Sequence, residues 1–163
     1  MVVSLTANLS SALQDIEFTS DYHEFPLHLQ EQLRTDEILT PYGAAKWGII
    51  DLLNQRYSSL LPDKFDLYHW LSENTEDEVA YFLNEAGSNS LTHSQYKAPS
   101  KFRLWLGKKS FVIAIEQQGK GFPAEEVSRS TPGGFFNFFK NSKSVVFFDN
   151  PQEARIVFLQ FSF

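Results

Sequence analysis

Two alternating stretches separated by a short turn constrain this chain most. Along residues 101–107, Phe102, Leu104 and Leu106 fall on one side, with Lys101, Arg103 and Trp105 on the other. Along residues 110–117, Phe111, Ile113, Ile115 and Gln117 share one side. A period of two marks a strand with one buried face. Gly107-Lys108-Lys109 lies between the two runs, so they predict an antiparallel hairpin. Residues 144–148 and 155–161 predict a second hairpin, turning at Asp149-Asn150-Pro151.

Helical periodicity precedes both hairpins. Ala44, Ala45, Trp47, Ile49, Ile50, Leu52, Leu53 and Tyr57 predict a helix over about 42–60, ended by Leu61-Pro62-Asp63. Thr75 with Glu78 three residues on reads as a capping box, with Glu76 and Asp77 in the first turn. The helix that follows, over about 76–92, buries Val79, Ala80, Phe82, Leu83 and Ala86. Residues 118–134 contain four of the eight glycines and two prolines and read as a long loop; Phe135 to Lys140 reads as a short helix. Nearer the start, Asp15 to Thr19 suggests a short strand and Leu27 to Leu33 a helical turn or two. These elements add up to an α+β two-layer sandwich, with helices on one face of a mainly antiparallel sheet.

At 163 residues and 42% hydrophobic, the chain suits a single domain over 1–163 with a sizeable core, in which sixteen Phe are prominent. A net charge of −6 with scattered Lys and Arg argues against a nucleic-acid partner, which needs a basic face. No cysteine is present, so disulfides and thiolate metal sites are excluded. No apolar run approaches the roughly 20 residues that span a bilayer. Met1-Val2-Val3-Ser4-Leu5 lacks the basic segment and apolar core of a signal peptide. The expectation is a cytoplasmic protein with no membrane partner.

Two polar segments carry the chemistry. Glu85, Asn89 and His93 recur at i, i+4 and i+8, so they project from nearly one face of the second helix. Gln117-Gln118-Gly119-Lys120-Gly121-Phe122 ends a strand in a glycine turn. A polar helix stripe opposite such a turn suits a magnesium-bound nucleotide. Each segment alone has a plainer reading: a solvated helix face, or an ordinary hairpin exit. His93 alone reads as a helix-end residue near the C-terminal dipole, Lys120 as a solvated turn lysine, and the Phe135–Phe139 aromatics as core.

Together, in this order and spacing, the segments resemble the Bergerat-fold ATPases. That family includes histidine kinases, anti-sigma-factor serine kinases, gyrase-type ATPases and the heat-shock chaperone of that fold. The resemblance covers about residues 75–162 and leaves the role of 1–70 open. Glu85-Ala86-Gly87-Ser88-Asn89-Ser90-Leu91-Thr92-His93 is similar to the family's Glu-Ala-x-x-Asn-Ala-x-x-His box. Gln117 to Phe122 falls where the family has Asp-x-Gly-x-Gly-Phe, and Pro132-Gly133-Gly134-Phe135-Phe136 falls at its second glycine box.

The resemblance implies ATP and magnesium as cofactors and phosphoryl transfer as the activity. A signalling protein would be the partner, with a homodimer left open. It assigns Glu85 as catalytic base or water-orienter and Asn89 as magnesium ligand. His93, Gln117, Gly119, Lys120, Gly121, Gly133 and Gly134 would lie around the nucleotide. The alternatives are a degenerate member that binds a signalling partner without turning over ATP, and an unrelated α+β protein in which the motif match is chance. Two departures bear on that choice. Gln117 replaces the Asp that accepts from the adenine amino group. Glu153-Ala154 or Ala154-Arg155 replaces the Gly-Thr whose Thr supports that Asp.

Overall fold

The computed structural model describes residues 4, 6–27, 35–71, 77–93, 99–117, 119–124 and 144–163. Both expected hairpins form. They join an edge strand in one five-stranded sheet of order β1-β2-β3-β5-β4, every pairing antiparallel. The strands are β1 (Tyr22–Pro26), β2 (Pro99–Leu106), β3 (Ser110–Gln117), β4 (Val145–Phe148) and β5 (Ile156–Ser162). Helices α2 (Thr35–Arg56) and α3 (Glu78–His93) supply the main covering layer, so the class is α+β.

Register decides which side chains meet the helices. Phe102 pairs with Ile115, Leu104 with Ile113 and Leu106 with Phe111, and Ile113 pairs in turn with Leu159 on β5. These residues share a face and form the large core with Ile49, Ile50, Leu53, Tyr57, Val79, Phe82 and Leu83 from the helices. The alternate residues Trp105, Val112, Ala114, Phe147 and Phe158 point the other way. They form a smaller core with Ala12 and Ile16 of the N-terminal segment.

The start of the chain differs from its sequence reading. Asp15 closes the helix α1 (Leu9–Asp15) instead of opening a strand, and Glu17 follows with φ 56 in a turn. Asn8 accounts for this, because its Oδ1 accepts from the Ser11 N–H at 2.9 Å and caps the helix. Ala12 and Ile16, four apart, then bury against the reverse face of the sheet. The strand comes later, at Tyr22–Pro26, and pairs with β2. Leu27 is buried, and the remainder of the expected Leu27–Leu33 turn lies outside the described residues.

α2 starts earlier than the apolar pattern indicates and runs through Pro41. Proline forfeits one intrahelical bond. Tyr42, Ala45, Ile49 and Leu53, all buried on one stripe, follow it into the core. The helix ends at Arg56, and the buried Tyr57 ring turns inward. A 3-10 turn, Leu67–Leu71, which the sequence pattern missed, leads toward α3.

The expected capping residue Thr75 lies outside the described residues; Asp77 caps α3. Its Oδ1 accepts from Ala80 N–H at 2.9 Å, and its Oδ2 accepts from Asp66 N–H at 3.1 Å and meets His69 Nδ1 at 2.8 Å. One carboxylate thereby fastens the 3-10 turn to the start of α3. The expected Phe135–Lys140 helix lies outside the described residues. No helix among the described residues is long and apolar enough to cross a membrane.

Candidate functional site

The candidate site is built from α3 and the end of β3. α3 holds Glu85, Asn89 and His93 on one continuous helix, as their spacing requires. Glu85 is half-buried, one turn beyond Tyr81. Burial chiefly, and then the Glu85 charge, raise the Tyr81 phenol above its ordinary pKa. The side chains of Asn89 and His93 lie outside the described residues, as do Gly133 and Gly134.

β3 brings Gln117 to the face that the helices cover. Its neighbours Phe111, Ile113 and Ile115 are buried there, and period two puts Gln117 in the same row. Glu116 points to the reverse face, where Arg103 Nη2 lies 3.6 Å from its Oε2. This register rules out Glu116 as a stand-in carboxylate for Gln117, because a one-residue slip would also invert Ile113 and Ile115.

Gln117 is tied to the last hairpin at both its backbone and its side chain. The backbone N–H donates to Arg155 C=O at 2.9 Å. Side-chain Nε2 donates to Ala154 C=O at 3.3 Å and to Lys120 C=O at 3.4 Å. Both acceptors are carbonyls, which fixes the amide orientation: Nε2 faces the turn and Oε1 faces away from it. Both positions that the resemblance offers for the supporting residue, Ala154 and Arg155, thus lie beside Gln117 in space. In place of a threonine hydroxyl each offers a backbone carbonyl.

The glycine turn closes on the same hairpin. Gly119 takes φ 82, a left-handed conformation open to glycine at little cost. Phe122 N–H donates to Ala154 C=O at 3.0 Å, and Ala154 N–H returns a bond to Phe122 C=O at 2.7 Å. A Cβ on Gly121 would lie 2.8 Å from the Glu153 carbonyl carbon and 2.9 Å from Ala154 O. The missing side chain of Gly121 therefore makes room for the chain itself. Phe122 sets its ring edge-on to Phe148, with centroids 5.9 Å apart, and Lys120 stands exposed.

No hydrogen bond or ion pair links Glu85 to Gln117, Gly119 or Gly121. Among the described residues, no group of three or more His, Asp or Glu side chains forms a metal site. A magnesium ion here would depend on phosphate oxygens and water.

A polar cluster that the sequence reading missed lies between α2 and α3. Lys46 Nζ donates to Asn84 Oδ1 at 2.8 Å and sits 4.1 Å from the Tyr42 ring centroid. Asn84 Nδ2 donates to Ala80 C=O at 2.9 Å and Leu67 C=O at 3.2 Å, and Tyr42 Oη donates to Leu83 C=O at 2.9 Å. The available signal was Asn84 itself, an amide directly after the buried Phe82-Leu83 pair. No protein-family model, no curated protein and no solved structure matches this chain.

Proposed function

We propose that this chain is a small ATP-binding domain of the Bergerat type, acting in the cytoplasm in bacterial signalling. Its reaction would transfer a phosphoryl group from magnesium ATP to a partner protein. The observation that supports this reading best is the meeting of Gln117 with Ala154 and Arg155. The resemblance pairs the base-reading residue with a supporting residue at Ala154 or Arg155, and Gln117 meets both: its Nε2 lies 3.3 Å from the Ala154 carbonyl oxygen and its backbone N 2.9 Å from that of Arg155. Gln117 Oε1, turned away from the glycine turn, can accept from an exocyclic amino group. Glu85 would orient the attacking hydroxyl and Asn89 would hold the metal.

A second reading is favoured by one detail of the same contact. Gln117 uses its amide donors within the turn and offers only a neutral acceptor to a base. Hydrogen bonds to charged groups contribute about 1.5–3 kcal/mol and neutral ones about 0.5–1.5, so the exchange of Asp for Gln weakens the base contact by roughly 1 kcal/mol. That is several-fold in affinity. A domain so weakened could bind its signalling partner without turning over ATP.

Calorimetry with ATP, with and without magnesium, separates the two readings. The ATP reading expects weak, magnesium-dependent binding that Asn89→Ala abolishes and Gln117→Asp tightens several-fold. If the wild type binds nothing at millimolar ATP and Gln117→Asp fails to restore binding, the partner-binding reading replaces it.

A further inference from the structure

We propose that the Trp47–Tyr68 ring pair, with the Lys46 ammonium beside it, docks an acidic, aromatic-bearing segment of a partner protein. The inference stands apart from nucleotide binding and comes from what α2 and the 3-10 turn leave on the surface. Trp47 is 36% exposed and Tyr68 67% exposed, and their ring centroids lie 5.6 Å apart. Single exposed apolar residues are ordinary on a protein surface, but two large rings held together across two elements form a platform. Its Tyr68 half is anchored. Tyr68 N–H donates to Asp66 Oδ1 at 2.9 Å, and the Leu67 carbonyl just before it accepts from Asn84 Nδ2 at 3.2 Å. The platform is therefore tied to α3 and receives a ligand without first being ordered.

Spacing along α2 sets what lies beside the rings. Gly43, Lys46 and Trp47 stand at i, i+3 and i+4, so they share one helix face. A Cβ on Gly43 would meet nothing within 4 Å, so the helix backbone is open to approach one turn before Trp47. Lys46 Nζ is held 2.8 Å from Asn84 Oδ1 and 4.1 Å from the Tyr42 ring centroid. Asn84 thus links the ammonium to the same 3-10 turn that carries Tyr68.

Charge decides the occupant. The Lys46 ammonium is half-buried, and its contacts are a neutral amide and a ring face; no carboxylate pairs with it among the described residues. A cation drawn part-way out of water without a counter-charge gains most from an incoming anion. Asp51, one turn beyond Trp47, is exposed and gains little from an incoming cation. The complementary segment places an Asp or Glu carboxylate at Nζ. It lays an aromatic side chain on the Trp47 and Tyr68 rings, over the open backbone at Gly43. Trp and Tyr are among the residue types that dominate such contacts.

The test is an NMR titration of the folded, isotope-labelled chain with three peptides of one length. They are Ac-Asp-Phe-Asp-Phe-amide, its asparagine counterpart Ac-Asn-Phe-Asn-Phe-amide and its lysine counterpart Ac-Lys-Phe-Lys-Phe-amide. At millimolar concentration the acidic peptide should shift the Trp47 indole N–H and the backbone amides of Lys46 and Tyr68. It should bind about threefold more tightly than the asparagine peptide, the difference that one ion pair supplies, and the lysine peptide should bind weakest. Lys46→Met keeps the length of the side chain and removes its charge, so it should erase the preference for the acidic peptide. Trp47→Ala should weaken all three peptides. Resonances of β3 and β5, away from the patch, report that each variant is folded, and the three-peptide comparison in the wild type decides the matter even where a variant is not. Equal affinity for all three peptides, tighter binding of the lysine peptide, or no shift of these resonances with the acidic one would overturn the proposal. Shifts at Trp47 on concentrating the chain alone would make the occupant a second copy, and would overturn it too.

Discussion

Replacing Gly121 by alanine asks whether the glycine turn serves a ligand or the fold. A Cβ there would meet Glu153 Cγ at 2.7 Å, the Glu153 carbonyl carbon at 2.8 Å and Ala154 O at 2.9 Å. The first atom ends in a flexible side chain and can move. The other two are backbone, so the turn and the last hairpin must separate. Overpacking of this kind costs about 1–3 kcal/mol. The two bonds between Phe122 and Ala154, at 3.0 and 2.7 Å, are placed at risk and contribute about 1 kcal/mol each. A loss of roughly 2 kcal/mol follows, which at a slope of about 2 kcal/mol per molar lowers the urea midpoint by about 1 M. Urea unfolding followed by tryptophan fluorescence, without nucleotide, reads it directly. If Gly121→Ala unfolds at the wild-type midpoint yet loses nucleotide affinity, the Cβ points into ligand space and the reasoning is wrong.

Two further substitutions probe the helix-covered face. Gly43 lies inside α2, and a Cβ there would meet nothing within 4 Å, so Gly43→Ala should stabilise the chain by about 0.5–1 kcal/mol in the same urea assay. Tyr57 Oη donates to Gly107 C=O at 2.7 Å and Ser110 C=O at 3.0 Å, so Tyr57→Phe should cost about 1 kcal/mol at neutral pH. Burial, its largest cause, pushes the Tyr57 pKa up from 10.0 to about 12, so the folded state keeps a proton that the unfolded state gives up. That stabilisation is complete below pH 10.0 and is lost as pH rises toward about 12. The stability gap between wild type and Tyr57→Phe should therefore shrink across that window, as read by unfolding at a series of pH values.

The two hairpins, the body of α2 and the buried side of α3 at Val79, Ala80, Phe82 and Leu83 were legible because their signals are local. Alternation over Phe102–Leu106 and Phe111–Gln117 specifies strand and face together, since a one-residue slip exposes every core side chain. The observed register excludes Glu116 as a replacement for Gln117, with its Arg103 contact on the reverse face. The first forty residues were harder. Asn8 and Ile16 stabilise α1 through one cap and a few apolar contacts, too little pattern to outweigh a strand-like composition. Residue order alone therefore determined the fold class, which residues of the first hairpin share the core face and which polar residues share α3. Tertiary structure decided what those residues touch. Gln117 meets Ala154 across 37 positions, Lys46 meets Asn84 across 38, and Gly121 closes on Glu153. Such contacts depend on how sheet and helices stack, and periodicity within one element carries no information about the side chain that stands opposite.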